Sequence, residues 1–190
     1  MPANVVVPPA ELIVSLTEAK QMLLVDHNAD DALILQLIEA ATMEAQTIAG
    51  RSFVTQTREM VCQRWPFAEA FRLEYPPVQS ITSVIYVTDA NVAVTVTSNT
   101  YQLIADLTPP LLLPVQGGDW PTATLRDIAP IRVRYVAGYG TAAAVPAPFK
   151  ALILGLVAVD YESREAISNT AVQQRQRLQN ALRMYWGFAT

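Results

Sequence analysis

The chain has 190 residues, of which 52% are hydrophobic and 16% charged, and its formal net charge is −4. This length suits one domain with its own core, and the acidic balance excludes generic binding to nucleic-acid phosphates, which requires an excess of Lys and Arg. The high apolar fraction indicates surfaces that partner subunits cover, although a monomer core filled with Ala and Val would have the same composition.

Residues 14–50 are predicted to form two helices. Ser15 and Glu18 have the spacing of a capping box, which predicts a short helix beginning directly after Ser15. A longer helix is predicted from about residue 30 to Gly50, because Gly commonly follows the last residue of a helix. The apolar residues of this second helix recur at helical spacing: Ile34, Leu37, Ile38, Ala41, Ala45 and Ile48.

Residues 52–140 are predicted to form antiparallel strands joined by turns. The segments 81–88 and 92–97 flank a three-residue turn, which is the pattern of a hairpin. Further short strands are predicted over three segments: 101–105, 111–113 and 131–137. Prolines punctuate the region and limit pairing at its edges. The sequence therefore predicts a small antiparallel β sandwich or barrel, inserted between the second and third helices.

The β region is followed by an unusually apolar helix. Residues 146–165 contain a predicted helix over about 148–163 that is apolar on nearly every face, so we expect the second helix to pack against it. Its apolar run, 151–159, is too short to cross a membrane. Together the segments predict an α+β fold, a helical bundle of about four helices with a β insertion, forming a single domain over residues 1–190.

The segment 168–190 is predicted to be a helical tail. Its glutamine-rich helix has a narrow apolar stripe: Val172, Leu178, Leu182 and Tyr185. A stripe of this width packs weakly on its own domain. Trp186 and Phe188 either anchor a partner or fold back onto the core.

No group of residues has the composition of a catalytic site. The chain has one histidine, His27, and one cysteine, Cys62, and its serines lie outside hydrolase motifs. The segment 26–31 begins with the Asp-x-Asn-x-Asp spacing of a calcium loop, but Asp31 stands where that loop requires glycine. We therefore expect no enzymatic activity, no metal site and no cofactor.

Opposite charges are concentrated in two parts of the chain. The first fifty residues contain one base, Lys20, against seven acids: Glu11, Glu18, Asp26, Asp30, Asp31, Glu39 and Glu44. Residues 166–190 contain no acid and three bases: Arg175, Arg177 and Arg183. Either both are ordinary solvated helix faces, or the tail binds an acidic partner surface.

A series of short motifs over roughly residues 14–165 carries a resemblance to a known family. The motifs of the first half are Leu16-Thr17-Glu18-Ala19-Lys20, Asp30-Asp31-Ala32-Leu33-Ile34, Gly50-Arg51, Trp65-Pro66-Phe67 and Pro76-Pro77-Val78. Those of the second half are Trp120-Pro121, Val133-Arg134-Tyr135-Val136-Ala137-Gly138-Tyr139-Gly140, Val145-Pro146 and Tyr161-Glu162-Ser163-Arg164-Glu165. In this order and spacing they resemble the head-tail connector, or adaptor, proteins of tailed phages, prophages and gene transfer agents.

The resemblance implies a structural virion protein. It implies a dodecameric ring beneath the portal protein, which contacts the next neck or tail protein and lets DNA pass through its channel without specific binding. Such a subunit is made in the cytoplasm of the bacterial host, contacts no membrane and is incorporated into the neck of the virion. A C-terminal helix that becomes ordered on the portal would carry six candidate contact residues: Arg175, Arg177, Arg183, Tyr185, Trp186 and Phe188.

Two other functions fit the same sequence. One is another neck component, such as a stopper or a tail-completion protein. The other is a soluble ligand-binding or enzymatic domain, whose pocket would be lined by aromatic residues of the β region: Trp65, Tyr86, Tyr101 and Trp120. The helices on both sides of the β region favour the connector, because stoppers are mainly β.

Overall fold

The computed structural model has two compact units, each built from segments that are distant in sequence. It describes three stretches of the chain: 3–66, 70–163 and 169–185. The β unit comprises residues 1–9 and 55–138 and contains all the strands of the described stretches. The helical unit contains all four α-helices and comprises residues 10–54 and 139–190.

The helical unit confirms the prediction of about four helices. Their bounds are α1 (Leu16–Leu23), α2 (Asp31–Ala49), α3 (Ala147–Glu162) and α4 (Asn169–Met184). The capping box is present, since the Glu18 amide donates to the Ser15 hydroxyl at 3.2 Å and the Ser15 amide donates to the Glu18 carboxylate at 2.7 Å. The helix α2 ends at Gly50, whose φ of 58° is a backbone conformation that glycine adopts without strain.

The apolar faces of α2 and α3 share one core, as their spacing predicts. The side chains that contribute to it are at most 2% exposed: Ile34, Ile38, Ala41 and Ala45 from α2, and Phe149, Ile153, Leu156 and Val157 from α3. The rings of Phe53 and Phe149 pack with their centroids 4.8 Å apart. None of the described helices has the length and apolar content needed to span a membrane.

The capping box of α1 gives a first prediction. Replacing Ser15 with Ala removes the acceptor for the Glu18 amide, and we expect the free energy of unfolding to fall by about 1 kcal/mol near neutral pH. The hydrogen bond from the Ser15 hydroxyl lowers the pKa of Glu18 below its ordinary value of 4.5. A carboxyl with a lowered pKa stabilises the fold above its unfolded pKa, and this contribution disappears as the pH falls through the folded value.

The effect of Ser15→Ala should therefore shrink as the pH falls below that range. Thermal melts from neutral to acidic pH measure it. Thr17→Ala is the matched control, because Thr17 is exposed on the same helix and takes no part in the cap. An equal loss of stability in both variants would contradict the cap.

The β unit consists of two antiparallel sheets. The eight strands are β1 (Asn4–Val7), β2 (Gln56–Cys62), β3 (Phe71–Arg72), β4 (Val78–Val87), β5 (Ala93–Thr95), β6 (Tyr101–Ile104), β7 (Leu111–Pro114) and β8 (Ile131–Ala137). The larger sheet has the strand order β1-β2-β8-β4-β5, and the smaller has the order β3-β7-β6. The strand β8 alternates as predicted, with Ile131, Val133 and Tyr135 buried and Arg132 exposed.

The first strand of the larger sheet was not predicted. β1 precedes α1 in sequence and pairs with β2, where Asn4 lies opposite Glu59. The β unit is therefore completed by the N-terminal segment, and the placement of the whole β region between the second and third helices is not confirmed. The reason is the pairing itself, which joins segments about fifty residues apart that no local pattern relates.

Both sheets contribute to one apolar core. Its fully buried residues include Leu73 and Leu112 beside the smaller sheet and Val84, Ile131 and Val133 in the larger one. Both sheets are open along the described strands, with β1 and β5 at the edges of the larger sheet. The α+β class is thus confirmed. No sheet closes on itself, so the predicted barrel is not confirmed, and neither is the placement of a sandwich between the second and third helices.

Candidate functional site

The acid-rich first fifty residues use most of their carboxylates within the helical unit. Five of the seven acids have partners there: Glu11 with the Ala142 amide, Glu18 with Ser15, Asp30 with the Tyr161 hydroxyl, Asp31 with Lys20, and Glu44 with Arg175. Asp26 and Glu39 are exposed. Five of the acids therefore contribute contacts within the helical unit, although Glu11 and Glu18 are exposed as well as Asp26 and Glu39.

The helix α4 packs on the helical core along a stripe that differs by one residue from the prediction. Leu182 is fully buried, and Tyr185 packs against Phe149 with ring centroids 4.6 Å apart. Val172 was predicted to face the core but is 54% exposed, because Ala171 occupies the inward position of that turn. The tail is thus held by its own unit up to Tyr185.

A glycine in α3 allows α4 to lie close. A Cβ atom on Gly155 would lie 3.1 Å and 3.2 Å from the two methyl carbons of Leu178, which is tighter than ordinary van der Waals contact. Replacing Gly155 with Val should push α4 away and lower the free energy of unfolding by about 1–3 kcal/mol. Thermal melts measure the loss, and Ala40→Val on the exposed face of α2 is the control. Equal melting temperatures in the two variants would contradict this packing.

Arg175 joins three helices through ion pairs. Its guanidinium donates to Asp160 of α3 and to Glu44 of α2, and Gln179 donates to the same Glu44 at 2.6 Å. Burial alone would lower the pKa of Arg175, but the two carboxylates outweigh burial and raise it. Arg175 therefore holds α4 against α2 and α3 within the helical unit, and the carboxylates of Glu44 and Asp160 compensate its charge.

The other predicted contact residues of the tail lie in different surroundings. Arg177 and Arg183 are exposed on α4, and Arg183 donates to Asn180 of its own helix at 3.1 Å. Trp186 and Phe188 lie outside the described residues. The structure thus does not bring the six predicted residues together on one surface within the part of the chain it describes.

The aromatic residues proposed to line a pocket in the β unit do converge, but they contact one another. Trp65 and Trp120 stack with centroids 5.0 Å apart, Tyr86 lies edge-on to Trp65 at 5.9 Å, and Tyr101 stacks on Trp120 at 6.4 Å. Trp120 is only 9% exposed. The rings therefore fill the core beside the smaller sheet and leave little room for a ligand between them.

The side chains of the calcium-like segment are directed to protein partners. The Lys20 ammonium donates to Asn28 at 2.8 Å and to Asp31 at 2.7 Å, and His27 is exposed. No three His, Cys, Asp or Glu side chains cluster as metal ligands among the described residues. Cys62 is half-buried at the end of β2, and burial raises the pKa of its thiol. The arrangement provides surfaces for binding and no recognisable reaction centre in the described stretches.

Exposed apolar side chains are the surface feature that sequence reasoning missed. Leu24 follows α1 in a left-handed conformation and is 91% exposed, and Met22 beside it is 56% exposed. A leucine in this conformation costs about 1–2 kcal/mol relative to glycine, which normally follows a helix. A leucine at the position where glycine is expected is the signal that could have identified this surface.

Comparison with known protein families shows what part of this two-unit fold is similar to. Residues 13–102 match the family of phage gp6-like head-tail connector proteins. This match confirms the resemblance inferred from the sequence motifs, and it spans just under half of the chain, from the segment before α1 into β6. None of the curated protein sequences is significantly similar to the chain.

Solved chains from gene transfer agent particles extend the likeness to nearly the whole length. One, from the neck of a native gene transfer agent particle computed with C12 symmetry, has a TM-score of 0.78 and 20% identity and covers 96% of this chain and 95% of its own. A second, from the virion of the native particle, has a TM-score of 0.75 and 20% identity over 94% of this chain and 95% of its own. These likenesses establish the fold.

Proposed function

We propose that this protein is a head-tail connector subunit in the neck of a phage-like particle, with a structural role and no enzymatic one. The observation that carries the proposal is the fold match over nearly the full length of both chains to a component of a particle neck. The connector family match over residues 13–102 supports the same role. A location in the virion follows from this role.

The subunits form a ring of twelve copies beneath the portal protein, and the next neck or tail protein binds the ring. The C12 symmetry of the neck that contains a similar chain supports this number. DNA passes through the ring without specific binding, since the chain has a net charge of −4 and lacks the basic excess that phosphate binding requires. Exposed apolar side chains such as Leu24 give the subunits surface to bury on assembly.

Light scattering of the purified chain, alone and mixed with its cognate portal protein, tests the proposal. We expect either a ring of twelve times the chain mass of 20.8 kDa, or a monomer that joins the portal in the same stoichiometry. A chain that stays monomeric and does not bind the portal would contradict the connector role. Binding to a preformed neck instead of to the portal would point to a stopper or tail-completion protein.

The portal contact is assigned to the end of the tail, in a narrower form than the sequence implies. Arg175 and Tyr185 are engaged within the helical unit, which leaves four of the six: Arg177, Arg183, Trp186 and Phe188. Of these, Arg183, Trp186 and Phe188 lie at the end of the tail and carry the assignment. Deleting residues 168–190 would uncover the core around Leu182, so it cannot separate binding from folding.

A shorter truncation separates the two. Removing residues 186–190 together with Arg183→Glu should abolish portal binding while the melting temperature stays within about 2 °C, because α4 keeps its core contacts. Co-sedimentation with the portal protein measures binding, and Arg72→Glu in the full-length chain is the charge-matched control, because Arg72 is exposed on β3 and lies outside the tail. Unchanged portal binding by the truncated variant would contradict the assignment.

A further inference from the structure

The segment that ends α1 presents an apolar side chain to solvent. Leu24 is 91% exposed and adopts φ 56°, a conformation that leucine rarely takes. Both the exposure and the backbone conformation are unfavourable for an isolated chain, and the core of the helical unit does not include Leu24. The acidic Asp26 follows two residues later and is also exposed.

A concave apolar surface lies between α3 and α4. An open groove of about 480 Å³ runs along these two helices, and its lining is almost entirely apolar: Pro148, Ala151 and Leu152 from α3, Ala181 and Met184 from α4, and Tyr185 directly after α4. Met184 is 73% exposed at its rim. The groove is wide enough for an inserted aliphatic side chain and offers that side chain apolar contacts.

The charges beside the two surfaces are complementary. Arg177, Ala181 and Met184 lie on one face of α4, because residues four and seven positions apart align along a helix. Arg177 is exposed, and it lies one helical turn before Ala181, which lines the groove. Asp26 lies beside Leu24. Lys20 lines the same surface, but its ammonium is already paired with Asp31 and Asn28. The exposed charge beside Leu24 is therefore negative, and the exposed charge beside the groove is positive.

We propose that Leu24 of one copy inserts into the α3/α4 groove of the next copy, with Asp26 pairing to Arg177 across the contact. The two halves share no residue, so the contact is heterologous: each copy uses one surface on each neighbour. Such a contact gives a ring when the rotation between neighbours closes, as the proposed ring requires. The inference rests on the proposed ring and names its interface.

Disulfide trapping tests the contact directly. In a Cys62→Ala background, a chain carrying both Leu24→Cys and Ala151→Cys should form a ladder of covalent oligomers when the ring is oxidised. A mixture of one chain with Leu24→Cys and another with Ala151→Cys should stop at a covalent dimer. Each single-cysteine chain alone should stay largely monomeric on non-reducing gels.

The outcomes separate this inference from the proposed function. A ring that is detected by light scattering but gives no cross-link above the single-cysteine controls would overturn the interface and leave the connector role intact. If no ring forms with or without the portal, both the interface and the ring are overturned. A ladder that requires both cysteines supports the interface.

A charge swap provides a second test that does not depend on cysteine reactivity. Asp26→Arg or Arg177→Asp alone should weaken self-association about tenfold or more, and the double variant should recover to within about threefold of the original chain. Equal weakening by the single and double variants would overturn the pairing.

Leu24→Asn should weaken assembly at least about tenfold without lowering the melting temperature, because Asn tolerates the left-handed conformation. Met43→Gln is the control, since Met43 is 69% exposed on α2 and lies outside both surfaces. A role for Leu24 in folding alone would show the reverse, a lower melting temperature with unchanged assembly, and would overturn the interface.

Discussion

Replacing Arg58 with Met is expected to lower the free energy of unfolding by about 3 kcal/mol and to release the N-terminal strand β1. Arg58 lies on β2, is 5% exposed and donates to the carbonyl oxygen of Ala3 at 2.9 Å. Its guanidinium carbon stands 3.8 Å from the centre of the Tyr75 ring. The substitution keeps the apolar bulk but leaves a buried carbonyl without this donor and removes the cation from the ring.

The release of β1 follows from the way Ala3 is held. The Ala3 amide donates to the Glu74 carboxylate at 3.1 Å, and the Tyr135 hydroxyl donates to the Glu74 carbonyl at 2.7 Å. Arg58 lies within the same group, and burial lowers the pKa of its guanidinium even though it stays charged. Without Arg58, the contacts that still hold the edge strand among the described residues are the ladder to β2 and the bond from Ala3 to Glu74.

Urea denaturation measures the stability, and hydrogen exchange at the amides of Val5, Val6 and Val7 measures the release of β1. Arg132→Met is the matched control, because the Arg132 side chain is 47% exposed on β8 and its ion pair with Glu59 spans 3.5 Å. The control should lose less than about 1 kcal/mol. Similar losses in the two variants, or unchanged exchange in β1, would contradict the role of Arg58.

Replacing Arg175 with Met is expected to cost about 2 kcal/mol and to loosen α4. The expected loss is smaller than for a fully buried ion pair, because solvent screens these charges: the Arg175 side chain is 34% exposed, and those of Glu44 and Asp160 are 24% and 22% exposed. Two carboxylates would then face each other without a cation between them. The repulsion acts directly on the packing of α4 against α2 and α3.

Limited trypsin cleavage after Arg183 reports the loosening of α4, and thermal melts report the stability. Arg177→Met is the control, because Arg177 is exposed two residues along the same helix and should change stability by less than about 0.5 kcal/mol. Adding Asp160→Asn to Arg175→Met should recover part of the loss, since it removes one of the two opposing charges. Cleavage at equal rates in the Arg175 variant and the control would contradict the role of Arg175 in holding α4.

The elements that depend on local spacing could be predicted from the sequence. Ser15 and Glu18 mark the start of α1 within one turn, and the regular apolar repeat of α2 identifies both its length and its buried face. β8 has seven residues of strict alternation, and its predicted bounds are those observed. These signals are contained in segments shorter than twenty residues, so no knowledge of distant partners was needed.

What failed depends on contacts between distant residues. β1 is four residues long, exposed throughout and flanked by prolines, and it is held by residues that are 55 and 71 positions away. Nothing within the segment distinguishes it from a disordered N-terminus.

The tail illustrates the same limit for the candidate contact surface. Segment charge suggested that Arg175 faces a partner, but Glu44 lies 131 positions before it and neutralises it within the fold. Leu24 was missed because its exposure depends on where α1 ends, and the sequence marks that end only by the absence of the usual glycine. That Trp186 and Phe188 contact the portal remains a prediction, since both lie outside the described residues.

The most direct test of the connector role is electron microscopy of particles made by a producing cell from which this chain has been deleted. We predict heads and tails that are both assembled but not joined, with the joined form restored by supplying the chain from a plasmid. Normal numbers of joined particles in the absence of the chain would contradict the proposed function.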